Sequence, residues 1–336
     1  YENELNNRSV KIDGLDWSFN MKVSKDFKEI KGDASFRKFY RNTKKNSIIV
    51  FANKEKIKNL LIYDSINKIL IKNNIIAPQL LSQNYKKNYI EIQDLGKKTI
   101  YQIFSKYKKN QYPIFKKAIN VLNKIQLVKD KKIKNFRNEL YLIKDYKNKI
   151  LLDETKLFNH WYVPKKLDKK KVNIFNTKFD KEIKLLLSKL HFKNDTFVHR
   201  DFHVSNLIIN SKNQIGLIDN QDALIGNKAY DLASLIDDVR YKTPDSLKDK
   251  VYNYYLNTNK KIDVNKFKND FDILSVLRNL KIIGIFMRLA ERDKKRKYLK
   301  LIPYAWNMID SRMSKNKDLI NLKLLLATNF PKFITK

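Results

Sequence analysis

The sequence predicts an α+β fold with a small β-rich N-terminal lobe, residues 1–94, and a larger α-helical C-terminal lobe, residues 95–336. Three observations support this division. Short apolar and aromatic runs bounded by turn residues, which are typical of strands, are concentrated before residue 97. From Thr99 onward apolar residues recur at helical spacing. This helical pattern is interrupted only by a polar loop at residues 199–206 and two short apolar runs, which predict a hairpin.

The composition limits the classes of protein to consider. The chain has 336 residues, of which 43% are hydrophobic, enough for the core of one large or two modest domains. Cysteine is absent, which excludes a disulfide framework and favours a reducing compartment, so we expect the cytoplasm. The first ten residues lack an apolar signal core, and the longest apolar run, residues 282–287, is too short to span a bilayer. We therefore expect a soluble protein with no membrane partner.

The charge is strongly positive, with 71 Lys and Arg residues against 35 acidic residues and a formal net charge of +36. Such an excess ordinarily suggests nucleic acid or an anionic membrane surface as a partner. Lys, Asn and Ile are abundant throughout the chain, however, and no Arg-rich arm, zinc knuckle or aromatic platform for single strands is present. We interpret the charge as a composition bias and do not expect a nucleic-acid partner, although the field would attract nucleotides and acidic sugars.

The N-terminal lobe begins with an amphipathic segment, residues 1–20, in which we expect Trp17 and Phe19 to pack on the next part of the chain. Residues 27–41 predict a hairpin with a turn of small residues, and residues 47–51 predict a third strand. Residues 57–72 have the apolar spacing of a helix. A further strand pair ends at residues 89–96, where an apolar strand runs into a polar turn closed by a glycine.

The polar loop carries the residues with the clearest chemical meaning. Asp201 and Asn206 are five positions apart, and Asp219 follows an apolar strand, which is the spacing of the kinase catalytic loop and its later metal-binding Asp. In phosphoryl transfer one carboxylate accepts the proton of the attacking hydroxyl, while an amide oxygen and a second carboxylate hold Mg²⁺ against the nucleotide phosphates. We therefore predict Asp201 as the base and Asn206 and Asp219 as metal ligands. The alternative is a surface loop that contains these residues by chance.

Two features of the N-terminal lobe fit a nucleotide in such a layout. The small-residue turn at Gly32, Asp33, Ala34 and Ser35 can lay backbone N–H groups over phosphates, although an ordinary hairpin without a ligand explains the turn equally well on its own. The turn at residues 93–96 would be the hinge between lobes, where the backbone of Gln93 and Leu95 reads an adenine edge; the alternative is a plain strand end.

Three residues of the C-terminal lobe are candidates for supporting or substrate-binding roles. Asp231, early in a predicted helix, can accept N–H bonds from the catalytic loop, or can simply face solvent near the helix start. Trp161, in the aromatic-rich residues 141–163, or its neighbour Tyr162, can stack on a sugar, although core packing is the commoner role for such residues. Arg288, which we prefer to Arg278 on the same helix, can bind a carboxylate or phosphate with its planar fork, although an ion pair is again the commoner outcome.

Together these motifs resemble the aminoglycoside-phosphotransferase-related family, and most of all its bacterial kinases that phosphorylate the anomeric hydroxyl of N-acetylmuramate and N-acetylglucosamine in cell-wall recycling. The resemblance covers residues 32–301 and is far more specific than any single motif. It depends on residues 32–41, 93–96, 157–162, 199–207, 218–223, 230–232 and 280–293.

The resemblance implies a protein-kinase-like fold, ATP and Mg²⁺ as cofactors, and a sugar hydroxyl as acceptor. It makes Asp201 the base, Asn206 and Asp219 the metal ligands and Asp231 a support of the loop, and it places the turn at residues 33–35 over the phosphates. It adds His199 as a second supporting residue, and His203 and Asp222 as further candidates for substrate contacts.

The chain departs from the family pattern at two places. The third strand offers no Lys where kinases pair the α- and β-phosphates, so Arg37, Lys38 or Lys54 must substitute. Asn220 stands where an aromatic residue is usual after the metal-binding Asp, and we expect this polar side chain to loosen the packing beneath the metal site.

Two other functions compete with an amino-sugar kinase. One is a kinase of another small alcohol, such as an aminoglycoside or choline, which the basic charge disfavours because cationic acceptors need carboxylates around them. The other is a non-catalytic nucleotide-binding or polyanion-binding protein on the same scaffold. The joint presence of Asp201, Asn206 and Asp219 disfavours this second alternative.

Overall fold

The computed structural model describes residues 10–12, 15–17, 26–30, 37–53, 56–108 and 110–334. The chain divides into two compact units. The first comprises Tyr1–Lys97, Asp130–Leu142 and Ile209–Gln221, and the second comprises Lys98–Lys129, Ile143–Ile208 and Asp222–Lys336. The predicted division after residue 94 is close to the first boundary between the units. It differs in assigning residues 130–142 and 209–221 to the C-terminal lobe, whereas these segments lie in the first unit.

The first unit is rich in strands. They are β1 (Val10–Ile12), β2 (Leu15–Trp17), β3 (Phe27–Ile30), β4 (Lys38–Asn42), β5 (Ser47–Phe51), β6 (Leu80–Asn84), β7 (Tyr89–Gln93), β8 (Lys132–Lys134) and β9 (Leu140–Leu142). An antiparallel five-stranded sheet has the order β3-β4-β5-β7-β6, while β1 with β2 and β8 with β9 form separate hairpins. The predicted hairpin at residues 27–41 and the predicted strand at 47–51 are thus confirmed.

Helix α1 (Lys58–Lys72) covers the apolar face of this sheet, which confirms the helix predicted at residues 57–72. Leu60 and Tyr63 of the helix pack with Val50 of β5 and with Ile90 and Ile92 of β7, and all five side chains are buried. Ile90 and Ile92 are two positions apart, so they point to the same face of the strand, while the helix supplies residues three apart. The side chains of the strands and of the helix therefore pack in one core. This packing fixes the register of β7 and the position of the turn that follows it.

The second unit is mainly helical. Its helices are α2 (Ile100–Lys106), α3 (Gln111–Gln126), α4 (Asn148–Thr155), α5 (Lys169–Ser188), α6 (Ala229–Ile236), α7 (Asp245–Thr258), α8 (Val264–Glu291), α9 (Ile302–Met313) and α10 (Ile320–Asn329). No helix in the described ranges is both long and apolar enough to cross a membrane.

Short strands after residue 99 are more frequent than the sequence pattern predicts. In addition to β8 and β9 they are β10 (Thr196–Val198), β11 (Leu207–Ile209), β12 (Ile215–Leu217) and β13 (Leu224–Gly226). β11 pairs with β12 in the predicted hairpin, and β10 pairs with β13. The prediction that only the loop and one hairpin interrupt the helices is therefore wrong, because three-residue strands are too short to show an alternation.

The long helix α8 organises the second unit. It spans 28 residues, begins at an Asp263 cap that accepts the N–H groups of Asn265 and Lys266, and is packed against α4, α6, α9 and the π-helical turn Phe158–Tyr162. The close approach to that turn requires Gly284, because a Cβ there would come within 2.3 Å of the Leu157 carbonyl carbon. This contact sets how deeply the side chains of α8 enter the second unit.

Candidate active site

The polar loop at residues 199–206, which we call the catalytic loop, follows strand β10. Asp231 of α6 binds the backbone at the start of this loop. The Asp231 carboxylate accepts the backbone N–H of His199 at 2.6 Å and that of Arg200 at 2.9 Å. Both Asp231 and His199 are fully buried. These two bonds are the contacts on which the predicted supporting role of Asp231 depends.

Arg200 turns the chain between β10 and Asp201. Its φ of +73° lies in the left-handed region, which non-glycine residues adopt only when surrounding contacts enforce it. Its guanidinium pairs with Glu154, donates to the Asp222 carbonyl oxygen at 3.1 Å, and lies 5.0 Å from the centre of the Tyr146 ring. The turn is thus held through both the backbone and the side chain, so the direction of the following Asp201 is fixed.

Asp201 is bound through its backbone, while its carboxylate accepts no hydrogen bond from any residue in the described part of the chain. Its N–H donates to His199 Nδ1 at 3.3 Å, and its carbonyl accepts the His203 N–H and the Asn206 side-chain amide, each at 3.0 Å. Because the Asn206 nitrogen holds the loop, its Oδ1 oxygen is left over as a possible ligand atom.

The electrostatic surroundings keep Asp201 ionised. Burial alone would raise the pKa of Asp201, but Coulombic interactions with His203, Lys281, Arg278 and Arg240 outweigh burial and hold the pKa well below its usual range. The carboxylate is therefore an acceptor throughout the neutral pH range. It can orient a hydroxyl and take its proton late in the reaction, as phosphoryl transfer with a loose transition state requires.

His203 lies beside Asp201 and is neutral at pH 7. Burial, together with the positive charges of Arg240 and Arg278, lowers the pKa of His203 well below 6.5. Its Nε2 lies 3.5 Å from the Asn206 amide nitrogen, and its buried Nδ1 has no hydrogen-bond partner in the described ranges. A buried ring nitrogen without a partner is an unsatisfied group that a ligand can complete.

Sequence reasoning missed Glu154, which is the central acid beneath the loop. Its carboxylate accepts from Arg200, from Lys281 Nζ at 2.9 Å and from the Tyr146 hydroxyl. Burial would raise the pKa of Glu154, but the charges of Lys281 and Arg200 lower it overall. No motif could have identified this role, because the two cations paired with Glu154 are 46 and 127 positions away in the sequence.

Asp219, the predicted second metal ligand, lies in the first unit directly after β12. Its backbone has a φ of +63°, and its carboxylate is 2.6 Å from Arg37 Nη2. Arg37 is itself buried, donates to Asn59 Oδ1 at 3.2 Å, and stands over the Phe39 ring. Of the three cations predicted to replace the missing Lys, the structure thus places Arg37 on the candidate metal ligand. Lys38 begins β4, and Lys54 lies outside the described residues.

Asn220 strengthens the packing near Asp219, so the expectation that it loosens this region is wrong. The Asn220 side chain is fully buried and donates to Asn67 Oδ1 at 2.8 Å and to the Leu217 carbonyl at 3.2 Å. Asn67 belongs to α1, so the amide pair ties the Asp219 segment to the helix that covers the sheet. A hydrogen-bonded polar pair can replace an aromatic contact because neither amide is left without a partner.

The predicted hinge follows β7. Gln93 donates its N–H to the Gln79 carbonyl at 2.8 Å, and Arg41 braces the turn by binding the Asp94 carboxylate at 2.5 Å and the Gly96 carbonyl at 3.0 Å. Leu95 is buried, and its backbone groups have no partner within the ranges that the structure describes. Reading of adenine by this turn stays a prediction, and Gly32, Asp33, Ala34 and Ser35 lie outside the described residues.

The remaining candidates lie in different surroundings. Trp161 is half-buried in the π-helical turn, whereas Tyr162 is only 1% exposed and accepts a hydrogen bond from Trp306, so stacking of Tyr162 on a sugar is wrong. The Asp222 side chain is exposed. Arg288 is half-buried on α8, and its role in binding a substrate stays a prediction; Arg278 of the same helix is buried, and its charge acts on Asp201.

The predicted metal ligands, Asn206 and Asp219, fit magnesium better than a metal whose ligands all come from the protein. No group of three or more His, Cys, Asp or Glu side chains that could hold a metal is found in the described ranges. Mg²⁺ usually takes one or two protein oxygens and completes its shell with water and phosphate oxygens. The free Oδ1 of Asn206 and the carboxylate of Asp219 are oxygen donors of that kind.

Comparison with known proteins gives consistent results. Residues 26–263 match the family described as the phosphotransferase enzyme family. The chain is 26% identical over 303 residues to an N-acetylmuramate/N-acetylglucosamine kinase of Pseudomonas aeruginosa, covering 88% of this chain and 86% of the relative. It is 27% identical over 307 residues to a kinase of the same name from Neisseria meningitidis, covering 88% of each.

Solved structures share the fold at low sequence identity. A choline/ethanolamine kinase family protein from Mesorhizobium loti superposes with a TM-score of 0.62 at 10% identity, covering 96% of this chain and 98% of that protein. The ADP-bound aminoglycoside phosphotransferase APH(2'')-Ib gives a TM-score of 0.58 at 15% identity, covering 92% and 98%. The predicted protein-kinase-like α+β fold is confirmed by these similarities.

Proposed function

The chain belongs to the phosphotransferase enzyme family and is a small-molecule kinase, and from that premise we propose that it phosphorylates an amino sugar with ATP and Mg²⁺. The acceptor atom is the anomeric hydroxyl of N-acetylmuramate or N-acetylglucosamine, and the reaction serves cell-wall recycling in the cytoplasm. The names of the two relatives support this substrate class. The proposal depends mainly on the Asp201 carboxylate. This group is kept ionised and accepts no hydrogen bond from the described residues, so it can bind a substrate hydroxyl.

Asp201 acts as the catalytic base. The acceptor hydroxyl donates a hydrogen bond to the carboxylate, its oxygen forms a bond to the γ-phosphorus, and the bond from that phosphorus to the β-phosphate oxygen breaks to release ADP. The proton of the hydroxyl passes to Asp201 and then to solvent. Because the loop backbone is held by Asp231 and by Asn206, the carboxylate is oriented before the substrate arrives, which reduces the entropic part of the barrier. His199 supports the same backbone through Nδ1.

Asn206 and Asp219 are the residues that would supply oxygen ligands to the metal. Mg²⁺ would supply positive charge to the phosphate oxygens when the γ-phosphoryl group is transferred. Arg37 contributes the positive charge that the third strand lacks, and the backbone of Gln93 and Leu95 binds the adenine edge. Phosphate binding by Gly32, Asp33, Ala34 and Ser35, which lie outside the described residues, stays a prediction.

The acceptor is bound by His203, whose buried Nδ1 supplies a hydrogen-bonding atom, with Trp161 and Asp222 as further contacts. A kinase of aminoglycosides or choline is less well supported, although solved structures of both kinds share the fold. Lys281, Arg278 and Arg240 surround Asp201 with positive charge, which repels an ammonium group on the acceptor.

The proposal is tested by incubating the protein with Mg-ATP and a panel of N-acetylmuramate, N-acetylglucosamine, an aminoglycoside and choline while following ADP release. We expect turnover with an amino sugar, and a loss of at least about 10³-fold in kcat for Asp201→Asn. Asp153→Asn, which removes an exposed carboxylate on α4 that is paired with Lys149, is the matched control.

If no acceptor raises ADP release above the level of Asp201→Asn, the kinase proposal is wrong. Salt-sensitive binding of RNA or DNA that Asp201→Asn leaves unchanged would instead support a polyanion-binding protein.

A further inference from the structure

Arg278 of α8 is a buried cation that has no hydrogen-bond or ion-pair partner among the described residues. Its side chain is only 3% exposed, and its Nη1 is buried without a hydrogen bond. No carboxylate of the described residues lies within ion-pair distance of its guanidinium. Arginine stays charged at every physiological pH, and burying an unpaired charge is costly. A protein keeps such a group where a ligand brings the missing partner.

Arg278 belongs to the surroundings of the candidate base. Its charge acts on Asp201, on His203 and on Asp238. Lys281, one turn further along the same face of α8, reaches Glu154, the acid that also holds Arg200 beside Asp201. The unpaired guanidinium is therefore within the electrostatic range of the reacting group, in the same compact unit.

Two other buried polar atoms near Arg278 also lack partners within the described residues. They are His203 Nδ1 and Asp238 Oδ2. Three orphaned polar atoms in one neighbourhood are unusual for a packed core, in which almost all such groups are satisfied. Convergent unsatisfied groups in one place are typical of a binding site for a polar ligand.

The other cations near Asp201 have anionic partners. Lys281 is 2.9 Å from Glu154, and Arg240 is 3.6 Å from Asp238. A water molecule could satisfy the hydrogen-bonding capacity of Arg278 but would not compensate its charge. A planar guanidinium binds the two oxygens of a carboxylate in parallel, which satisfies both requirements at once.

We propose that Arg278 is a specificity-determining residue that binds a carboxylate carried by the acceptor sugar, so that an acidic amino sugar is preferred to a neutral one. This inference rests on the proposed function, because it places the sugar beside Asp201. N-acetylmuramate has such a carboxylate on its lactyl ether, whereas N-acetylglucosamine has none. The enzyme therefore discriminates between the two sugars named in its relatives through one charge pair.

The test compares three acceptors that differ in this group: N-acetylmuramate, its methyl ester and N-acetylglucosamine. For the wild type we expect the highest kcat/KM with the free acid. For Arg278→Gln we expect kcat/KM to fall at least about 30-fold with the free acid, mainly through KM, because removing one partner of a buried charge pair has an effect of that size. The ester and N-acetylglucosamine should lose less than about threefold.

Controls separate this role from a structural one. Arg278→Lys keeps the charge but not the fork, so its loss with the free acid should be intermediate. Arg292→Gln removes an exposed cation of the same helix region, paired with Asp293, and should change none of the three activities. Since the buried charge of Arg278 is unpaired, Arg278→Gln should melt at the same or a higher temperature than the wild type.

Three kinetic outcomes would overturn the proposal. They are equal losses with all three acceptors, a wild type that does not prefer the acid to its ester, and a selective loss in Arg288→Gln instead of Arg278→Gln. Calorimetric binding of N-acetylmuramate provides a readout that needs no turnover, and an unchanged Kd in Arg278→Gln would also overturn it. Failure of the proposed function is distinguishable, because no amino sugar would then give ADP release that depends on Asp201.

Discussion

The guanidinium of Arg37 lies 2.6 Å from the carboxylate of Asp219, so a buried cation from the start of the sheet is already paired with the proposed metal ligand. In this position Arg37 can bind the nucleotide phosphates while it stays paired with Asp219. In protein kinases a Lys on the third strand binds the phosphates and pairs with a Glu on a helix. Under the proposed function, Arg37 takes over the role of that Lys.

Arg37→Ala should therefore raise KM for ATP by about tenfold or more, because hydrogen bonds to charged groups contribute about 1.5–3 kcal/mol. The kcat should fall less, since Asp201 is unaffected. Steady-state kinetics with varied Mg-ATP measures both values. Lys45→Ala, an exposed Lys in the turn after β4, is the control. An unchanged KM for ATP together with a lower melting temperature would show that Arg37 only supports the fold.

The acid limb of the pH–rate profile should come from Asp231 and not from the catalytic base. Burial raises the pKa of Asp231 from its ordinary value of 3.8 to about 6, although the N–H bonds of His199 and Arg200 oppose the shift. Below that pH the protonated acid has one acceptor oxygen fewer for the two N–H groups, and the loop loosens. We expect kcat to be half-maximal near pH 6, and this limb to disappear in Asp231→Asn, whose kcat should be low at every pH. An acid limb that persists in Asp231→Asn would contradict this assignment.

The raised pKa of Asp231 also affects stability: activity should rise as the pH increases, but the contribution of Asp231 to the free energy of unfolding should fall. Because the folded protein binds this proton more tightly than the unfolded chain, the contribution of Asp231 is greatest below pH 4 and is lost as the pH rises to about 6. The difference in unfolding free energy between the wild type and Asp231→Asn should fall by about 1–3 kcal/mol across this interval. Urea denaturation at a series of pH values measures it, and a difference that rises with pH would be inconsistent with a raised pKa.

Glu154→Gln should destabilise the protein by about 2–4 kcal/mol, since Arg200 and Lys281 are left with uncompensated charge in a largely buried place. Activity should also fall, because Arg200 fixes the turn before Asp201. Chemical denaturation and kinetics report the two effects. Asp153→Asn, at the neighbouring exposed position, should leave both unchanged, and an equal effect of the two substitutions would exclude a special role for Glu154.

Gly284→Ala should destabilise the protein by about 1–3 kcal/mol, because the new Cβ would lie 2.3 Å from the Leu157 carbonyl carbon and force α8 away from the π-helical turn. In an unconstrained helix the same substitution stabilises by about 1 kcal/mol, so the sign of the change is diagnostic. Thermal or urea unfolding measures it, and a stabilised Gly284→Ala would mean that the two segments do not meet this closely.

The parts of the site that the sequence could predict are those with local spacing. Asp201 and Asn206 belong to one loop whose residue types and intervals are required by the chemistry, and the hairpin after them follows from two apolar runs. The role of Asn220 could not be predicted, because its partner Asn67 is 153 positions away. Likewise the Arg37–Asp219 pair joins residues 182 positions apart, and no spacing rule predicts such contacts.

The choice between Arg278 and Arg288 shows the same limit in one helix. Both residues follow the helical spacing of α8, and the sequence cannot tell which end of the helix faces the loop. In the structure the contact of Gly284 with the Leu157 backbone fixes how α8 lies, so that Arg278 is buried and acts on Asp201 while Arg288 is half-buried. Rotation and depth of a helix are tertiary properties that the periodicity leaves open.

The first unit is assembled from three separated stretches of chain, and this has a consequence for the order of folding during synthesis. The Leu217 N–H donates to the Ile76 carbonyl at 2.8 Å, and Gly216 lies so close to Leu95 that a Cβ would be 2.8 Å from its side chain. Ribosomes release proteins from the N-terminus, so residues 1–97 must wait for residue 217 before these contacts can form. A fragment that stops after Lys97 would expose the surface of Ile76 and Leu95, and should aggregate or recruit chaperones instead of behaving as an independent nucleotide-binding domain.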